Sequence, residues 1–511
     1  SGAHRDLHSF PTRRSSDLSR RTVGKRISKV YTANTIGAIL GAAVTGLVIL
    51  PRLGLMGTEL LLASISATIG LVGLFLLTER KAANAIAYAM IAVAAVFQIS
   101  SSPPPGMFFG EIQRRTRPNQ KILYYAVGDS ATISVGADVW RGKEYREVYV
   151  DSQGVASTYP TAVCDAKMLA HVPLMLHPAP GRALTVGFGS GGTSYSMTLH
   201  DIDVDCVEIE AKVVDAAGFF TENNKGVLSH PRYRVIIDDA RNYLHLTTQR
   251  YDVISTDCTN LQYKSNGSLY TTEYFKLMHD RLTSDGVAAA WIPGGGTTRA
   301  DFRTLIHSFQ AVFENTSVWY IPTKRTNFFI LIGTPGPLRL DLADLARRFN
   351  NPSVREDLAE IGIASVGDFA GCFLMGPEKT AAFVADSPVH TDNHPILEYR
   401  AAHQFFAQSF PWNLGDMIAM EDRVETYFDL VSLSGMTGHQ RTQVMRQCLA
   451  WRTAVMGHHY AEKEQSLEAK KWYLKALELN PQQAAFEAFV KETDEYIEYR
   501  RHTRRVQVAG R

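Results

Sequence analysis

The chain has 511 residues, with 53 basic against 51 acidic side chains, a formal net charge of +2, and 45% hydrophobic residues. That length admits about three domains, and so balanced a charge leaves no footprint for binding nucleic acid. The five cysteines, Cys164, Cys206, Cys258, Cys372 and Cys448, are widely spaced and lack a C-x-x-C pair, which points to neither a disulfide framework nor a metal site.

Residues 8–18, from His8 and Ser9 through Arg13 and Arg14 to Leu18, look like one reading frame of a sequencing-adapter oligonucleotide. Residues 1–18 are therefore set aside as a non-biological leader, as tags and fusion scars are. Residues 19–102 then hold three apolar stretches near bilayer-spanning length, 31–50, 59–77 and 82–99, separated around Pro51 and Gly54 and around Glu79, Arg80 and Lys81. They predict a multi-pass membrane protein in contact with lipid, in a bacterial inner membrane. Gly37, Gly41, Ala42 and Gly46 give the first stretch a small-residue face for helix packing. Arg20, Arg21, Lys25, Arg26 and Lys29 set the leading segment in the cytoplasm, and Arg80 with Lys81 set the second loop there too. Three crossings would then export the C-terminal part of the chain, so the side of the membrane it occupies stays open.

Residues 161–335 contain four strand-like runs, each ending in a residue suited to gripping a nucleoside: the loop Gly187, Phe188, Gly189, Ser190, Gly191 and Gly192 after 183–186, Glu208 within 204–209, Asp239 and Ala240 after 235–237, and Asp257 after 253–255. In an open parallel sheet, ligands bind outside the carboxyl ends of the strands, so these residues should converge on one crevice. Glycines let the backbone approach the ligand, and the helix expected at 193–199 presents free N–H groups to it. By itself the loop also fits a dinucleotide fingerprint, with Glu208 near the distance expected for a ribose-binding acid.

From about residue 122 to 293 the chain resembles the spermidine synthase (polyamine aminopropyltransferase) family, and more closely its membrane-fused branch. The residues that carry the resemblance are His171, Val172, Pro173 and Leu174; Val207, Glu208, Ile209 and Glu210; Phe220 to Asn224; Tyr251 to Ile254; and Leu269 to Phe275. The resemblance implies a small β-domain, over residues 118–160, before a Rossmann-like, class I methyltransferase-type α/β domain, here preceded by membrane helices and followed by a helical C-terminal part. It implies decarboxylated S-adenosylmethionine as co-substrate, without metal, its ribose on Glu208, its adenine near Asp239 and its sulfonium toward Asp257, which matches the family's proton acceptor. Aligning an amine with the aminopropyl carbon and keeping it unprotonated is then the protein's main task. The acceptor is a small-molecule amine or another acceptor, with Tyr270 on its side of the site.

Departures fall on that acceptor side. Ser190 stands where the family carries an acid, and Asn260 where a second acid follows the proton acceptor. Asp165, Ala166 and Lys167 replace a Tyr-Gln-Glu stretch, which removes polar partners and adds a positive charge expected to oppose a diamine, with Asp165 restoring one carboxylate.

Beyond 335 the sequence predicts a helical extension over 336–404, including an amphipathic helix with Leu340, Leu342, Leu345 and Phe349 inward. A helical region follows over 405–511. There Gly457, Tyr460, Ala469, Tyr473, Ala476 and Pro481 occupy the small, aromatic and proline positions of one tetratricopeptide-like unit, 450–483. Three functions remain compatible with the sequence: an aminopropyl transferase; an S-adenosylmethionine-dependent methyltransferase or related transfer to a non-polyamine acceptor; and a transporter or scaffold whose nucleoside domain senses a ligand. The oligomeric state is open, a homo-oligomer included.

Overall fold

The computed structural model describes residues 20–77, 120–140, 142–257, 261, 266–337, 340–401, 408–420, 431–432 and 437–509. The leader 1–18, the third apolar stretch 82–99, Cys258 and Asn260 lie outside the described residues. The chain divides into two compact units, Ser1–Met107 and Phe108–Arg511.

The first unit contains helix α1, Arg20–Val44, a π-helical turn at Thr45–Ile49, and helix α2, Leu50–Leu77. The break expected between the first two apolar stretches falls at Gly54, whose φ of 67° and ψ of 178° kink the backbone and divide Leu50–Leu77 into two helices. Among the described residues one helical span, Ile27–Ile49, is long and apolar enough to cross a membrane.

The second unit opens with a four-stranded antiparallel meander: β1, Lys121–Val127; β2, Thr132–Trp140; β3, Lys143–Val150; and β4, Gln153–Ser157. Asp151 and Ser152 both take positive φ between β3 and β4, the twist a two-residue hairpin requires. Helix α3, Pro160–Leu176, then leads into an alternating pattern: β5, Arg182–Val186; α4, Gly192–Thr198; β6, Asp203–Glu208; β7, Tyr233–Ile237; α5, Ala240–Leu246; β8, Tyr251–Thr256; α6, Thr272–Arg281; and β9, Leu282–Pro293. Helix α7, Arg299–Gln310, and strands β10, Asn315–Tyr320, and β11, Phe328–Thr334, complete the expected domain.

These strands belong to one eight-stranded sheet in the order β12-β10-β11-β9-β8-β5-β6-β7, where β12 is Phe373–Met375. Pairing is parallel from β7 to β9 and antiparallel beyond it. Ala183, Val253 and Ile330 face a layer containing α3, while Leu184, Ile254 and Leu331 face α6 and α7. That alternation is the period of two of a strand, and burial on both faces explains why the central strands read as continuous apolar runs.

The extension over 336–404 is not purely helical: β12 adds an edge strand antiparallel to β10. Its short apolar run, Phe373 to Met375, was invisible as a strand because strand propensity depends on the neighbour it pairs with. Leu345 and Phe349 are buried as expected. Helix α8, Pro352–Glu360, lies between them and β12 in the chain. Near the C-terminus, helix α9, Gly438–Glu462, begins in a capping box between Thr437 and Gln440 and pairs with α10, Ser466–Leu479. A Cβ at Gly457 would lie 2.3 Å from the Tyr473 ring, so glycine is what allows the two helices to close. The hairpin is tied to the sheet domain: Trp451 Nε1 donates to Asp368 at 2.8 Å, and His458 Nε2 bonds the Pro322 carbonyl at 2.9 Å.

Candidate active site

Strand order places a crevice between β5 and β8. The chain runs outward from β5 through β6 to β7, then returns to pair β8 on the other side of β5, which makes this the switch point of the sheet. Gly187 donates its N–H to Val207 at 2.8 Å, and Asp257 donates its N–H to Val186 at 3.0 Å, so both strand ends are held by the ladder itself. A cavity of about 280 Å³ opens there, lined by Gly187, Gly189, Glu208, Asp239, Ala240 and Asp257. Its far wall comes from the small β-sheet, through Ser130, Ala131, Asp151, Val155 and Ala156.

Gly187 and Gly189 take φ of 91° and 53°. A Cβ on Gly187 would sit 3.2 Å from the Asp257 carbonyl, and one on Gly189 would sit 3.0 Å from Ala156. The loop thus turns tightly and presents bare backbone to the cavity. Glu208 is buried, with Oε2 accepting the Phe188 N–H at 2.8 Å and Oε1 accepting the Glu210 N–H at 3.0 Å. Burial pushes this carboxyl up, and the two backbone bonds pull it back. Each oxygen keeps a lone pair for a further donor. Asp239 caps α5, accepting the Asn242 N–H at 2.9 Å.

Asp257 is buried where β8 ends. Burial raises its carboxyl to about 6, opposed by the Thr193 hydroxyl, which donates to Oδ2 at 3.3 Å. Asp165, on α3, is pushed well above the ordinary carboxylate range by burial and by the neighbouring Asp257 charge, with the Trp291 indole pulling the other way. Two carboxyls beside one another cannot both ionise freely, so their proton affinities are linked.

The other expected residues divide. Ser190 and Gly191 support the loop from behind. Ser190 accepts from Asn223 at Oγ (3.1 Å) and from Asn224 at its carbonyl (3.0 Å), while Gly191, with φ of 78°, caps α4. Tyr270 is fully buried and its hydroxyl donates to the Trp291 carbonyl at 3.0 Å, so it braces β9 next to the site. The positive charge expected to oppose a diamine is turned away. Lys167 Nζ donates to Asp357 at 2.5 Å and to Glu360 at 2.7 Å, both on α8. Two residues advance a helix by roughly 200°, which puts Lys167 and Asp165 on opposite sides of α3.

Some contributors carried no signal of their own. Thr193 looks like any first-turn residue. Trp291 ends a buried strand. Glu210 lay inside the matched stretch, but its work is long-range: Oε2 accepts the Ser130 N–H at 3.0 Å and hydroxyl at 2.8 Å, fastening the small β-sheet over the crevice. Burial pushes Glu210 upward, but the bonds from Ser130, Lys212 and Ala131 outweigh it and hold the carboxyl below its ordinary value.

The family model described as "Spermine/spermidine synthase domain" matches residues 163–334. A polyamine aminopropyltransferase of Thermotoga petrophila is 33% identical over 126 residues, 24% of this chain and 43% of that protein. Among solved structures, a spermidine synthase crystallised in complex with the transition state analogue AdoDATO is 24% identical, with a TM-score of 0.40 over 45% of this chain and 80% of that one. The polyamine aminopropyltransferase of Thermotoga neapolitana is 32% identical over 198 residues, covering 35% of this chain and 67% of that protein. On sheet topology, site and relatives together, the chain belongs to the spermidine synthase (polyamine aminopropyltransferase) family of transferase enzymes.

Proposed function

We propose that this protein is a membrane-anchored transferase that moves an aminopropyl group from decarboxylated S-adenosylmethionine to an amine. The observation that carries the reading is the cavity in which the bare glycine loop, Glu208, Asp239 and Asp257 meet at the switch point of the sheet. Glu208 is oriented to take the ribose diol, and the Ala240 end of the crevice lies beside Asp239 for the base. Asp257 stands at the end of β8 to accept the proton of the incoming amine. A sulfonium is already a good leaving group, so holding the amine in line and unprotonated supplies the catalysis.

Membrane attachment through Ile27–Ile49 is supported by its 23 helical residues, none of the window being buried. The α9–α10 hairpin is read as one tetratricopeptide-like unit whose face is taken by its own neighbours, a brace rather than a peptide-binding array. The test uses the full chain purified in detergent, offered decarboxylated S-adenosylmethionine, S-adenosylmethionine or NAD, with and without amines. Methylthioadenosine released only with the decarboxylated donor and an amine is the expected result. Methyl transfer from the intact donor, or binding of NAD alone, would overturn the reading.

A further inference from the structure

Asp165 and Trp291 present an arrangement that folding alone does not account for. Among the described residues, Asp165 Oδ1 and Trp291 Nε1 are both closed off from solvent and have no hydrogen-bond partner. The Trp291 indole acts on the carboxyl as a hydrogen-bond donor does, but in a geometry too poor for a regular bond. Leaving such groups bare lowers the stability of a fold, so an orphan acceptor and an orphan donor at one place call for a reason. Their position supplies it. The β8–β9 register pairs Thr256 with Ala290, and one step further along both parallel strands brings Asp257 level with Trp291. On the other side, α3 packs on the glycine loop: a Cβ on Gly192 would lie 3.1 Å from Ala166, the residue after Asp165. Asp165 thus lies on the α3 side of the crevice, close enough to Asp257 for that charge to act on it. Lys167 is neutralised by Asp357 and Glu360 and does not compete.

We propose that Asp165 is the second carboxyl of the acceptor site and, together with Asp257, grips the ammonium end of a primary amine. This rests on the transferase reading above and narrows its acceptor to amines that enter protonated. A buried carboxyl beside a cation ionises readily, so an ammonium arriving between the two acids converts them into its partners. Asp257 then takes one proton while Asp165 Oδ1 accepts a second N–H and holds the nitrogen. The freed lone pair attacks the aminopropyl carbon, and the C–N bond forms as the C–S bond breaks. The electron pair leaves on sulfur as a neutral thioether, the product departs as a secondary ammonium, and Asp257 returns its proton to solvent. Here Ser190 and the position of Asn260 need not carry acids, because α3 provides one.

The test compares wild type with Asp165→Asn and Asp165→Glu in the full chain. Asp165→Asn is expected to raise KM for the amine about 10- to 100-fold, the worth of one hydrogen bond to a charged group, with KM for the sulfonium donor unchanged. The acid limb near pH 6 should stay in place, because Asp165 still holds its proton when Asp257 ionises; the split between a raised KM for the amine and an unchanged KM for the donor is what a merely structural role would not produce. Asp165→Glu should recover much of the amine affinity. An amine KM in Asp165→Asn equal to that of wild type overturns the acid pair while leaving the transferase reading intact. No turnover of any amine by wild type removes the transferase reading and the pair with it.

Discussion

Asp257 gains its reactivity from where β8 ends. Its backbone is pinned to Val186 and its carboxyl is raised to about 6 by burial, so at neutral pH it is ionised yet only modestly acidic, the condition for a base working near pH 7. For the free enzyme, kcat/KM for the donor should therefore rise as pH increases through about 6. Once a cationic sulfonium is bound, the carboxylate is favoured, so the acid limb of kcat should lie below that of kcat/KM. Asp257→Asn is expected to cut turnover about 10²- to 10⁴-fold while donor binding persists; full turnover in that variant would falsify the assignment. Glu208 has a different role, since its oxygens are already aimed by two backbone bonds. Replacing it with alanine should raise KM for the donor about tenfold or more, with a smaller change in kcat, the pattern of lost binding to ground and transition states alike.

At the level of elements, the site depends on contacts between segments far apart in sequence. Glu210 holds the β1–β2 turn over the crevice, so Glu210→Ala should loosen the small β-sheet, seen as faster amide exchange at Ser130 and Ala131. Helix α8 is fastened to α3 and α4 by Asp357, which accepts from Lys167, from Ser196 at 2.8 Å and from His171 at 2.8 Å. Burial pushes the Asp357 carboxyl up, but His171 and Lys167 outweigh it and hold it well below the ordinary carboxylate range. Asp357→Asn leaves a buried ammonium with one charged partner, the exposed Glu360, and should cost on the order of 3 kcal/mol in a urea titration at pH 7. A depressed carboxyl stabilises above its unfolded value and ceases to as pH falls through its folded one. The variant and wild type should accordingly draw together in strongly acid solution.

Over the whole molecule, buried histidines make the fold sensitive to mild acid. His458 has no exposed surface, with Nδ1 bonded to the Tyr473 hydroxyl at 2.8 Å and Nε2 to the Pro322 carbonyl. A carbonyl only accepts, so Nε2 carries a proton, and burial keeps Nδ1 bare to accept from the Tyr473 hydroxyl. Burial, aided by the Arg325 charge, lowers His458 to about 3, and burial with His171 and Arg348 lowers His200 well below its ordinary value. Each is protonated in the unfolded chain near the usual value of about 6.5 but not in the folded one. The unfolded state then binds more protons as pH drops, and stability falls. Between pH 6.5 and 5.5 each such histidine should remove about 1 kcal/mol, measurable as a lower urea midpoint. A His458→Gln variant should show a shallower pH dependence even if it is less stable throughout.

What could be read from the chain alone was local. Gly187, Glu208, Asp239 and Asp257 are legible because each closes an apolar run of strand length, and strand ends in a parallel sheet share one side. Asp165 was visible as a replacement, but its orphan oxygen was not, and the charge on Lys167 was assigned the wrong neighbourhood. Helix phase turns Lys167 away from Asp165, and the partner that holds it, Asp357, comes from an extension whose docking no local pattern records. Strand β12, the Glu210 clasp and the meeting of Trp291 with Asp165 escaped for the same reason. Periodicity and turn chemistry act over a few residues and therefore determine elements, strand ends and the nucleoside half of the crevice. Which buried charges meet, and which polar atoms are left without partners, depends on packing between distant segments, and only the tertiary structure decided it.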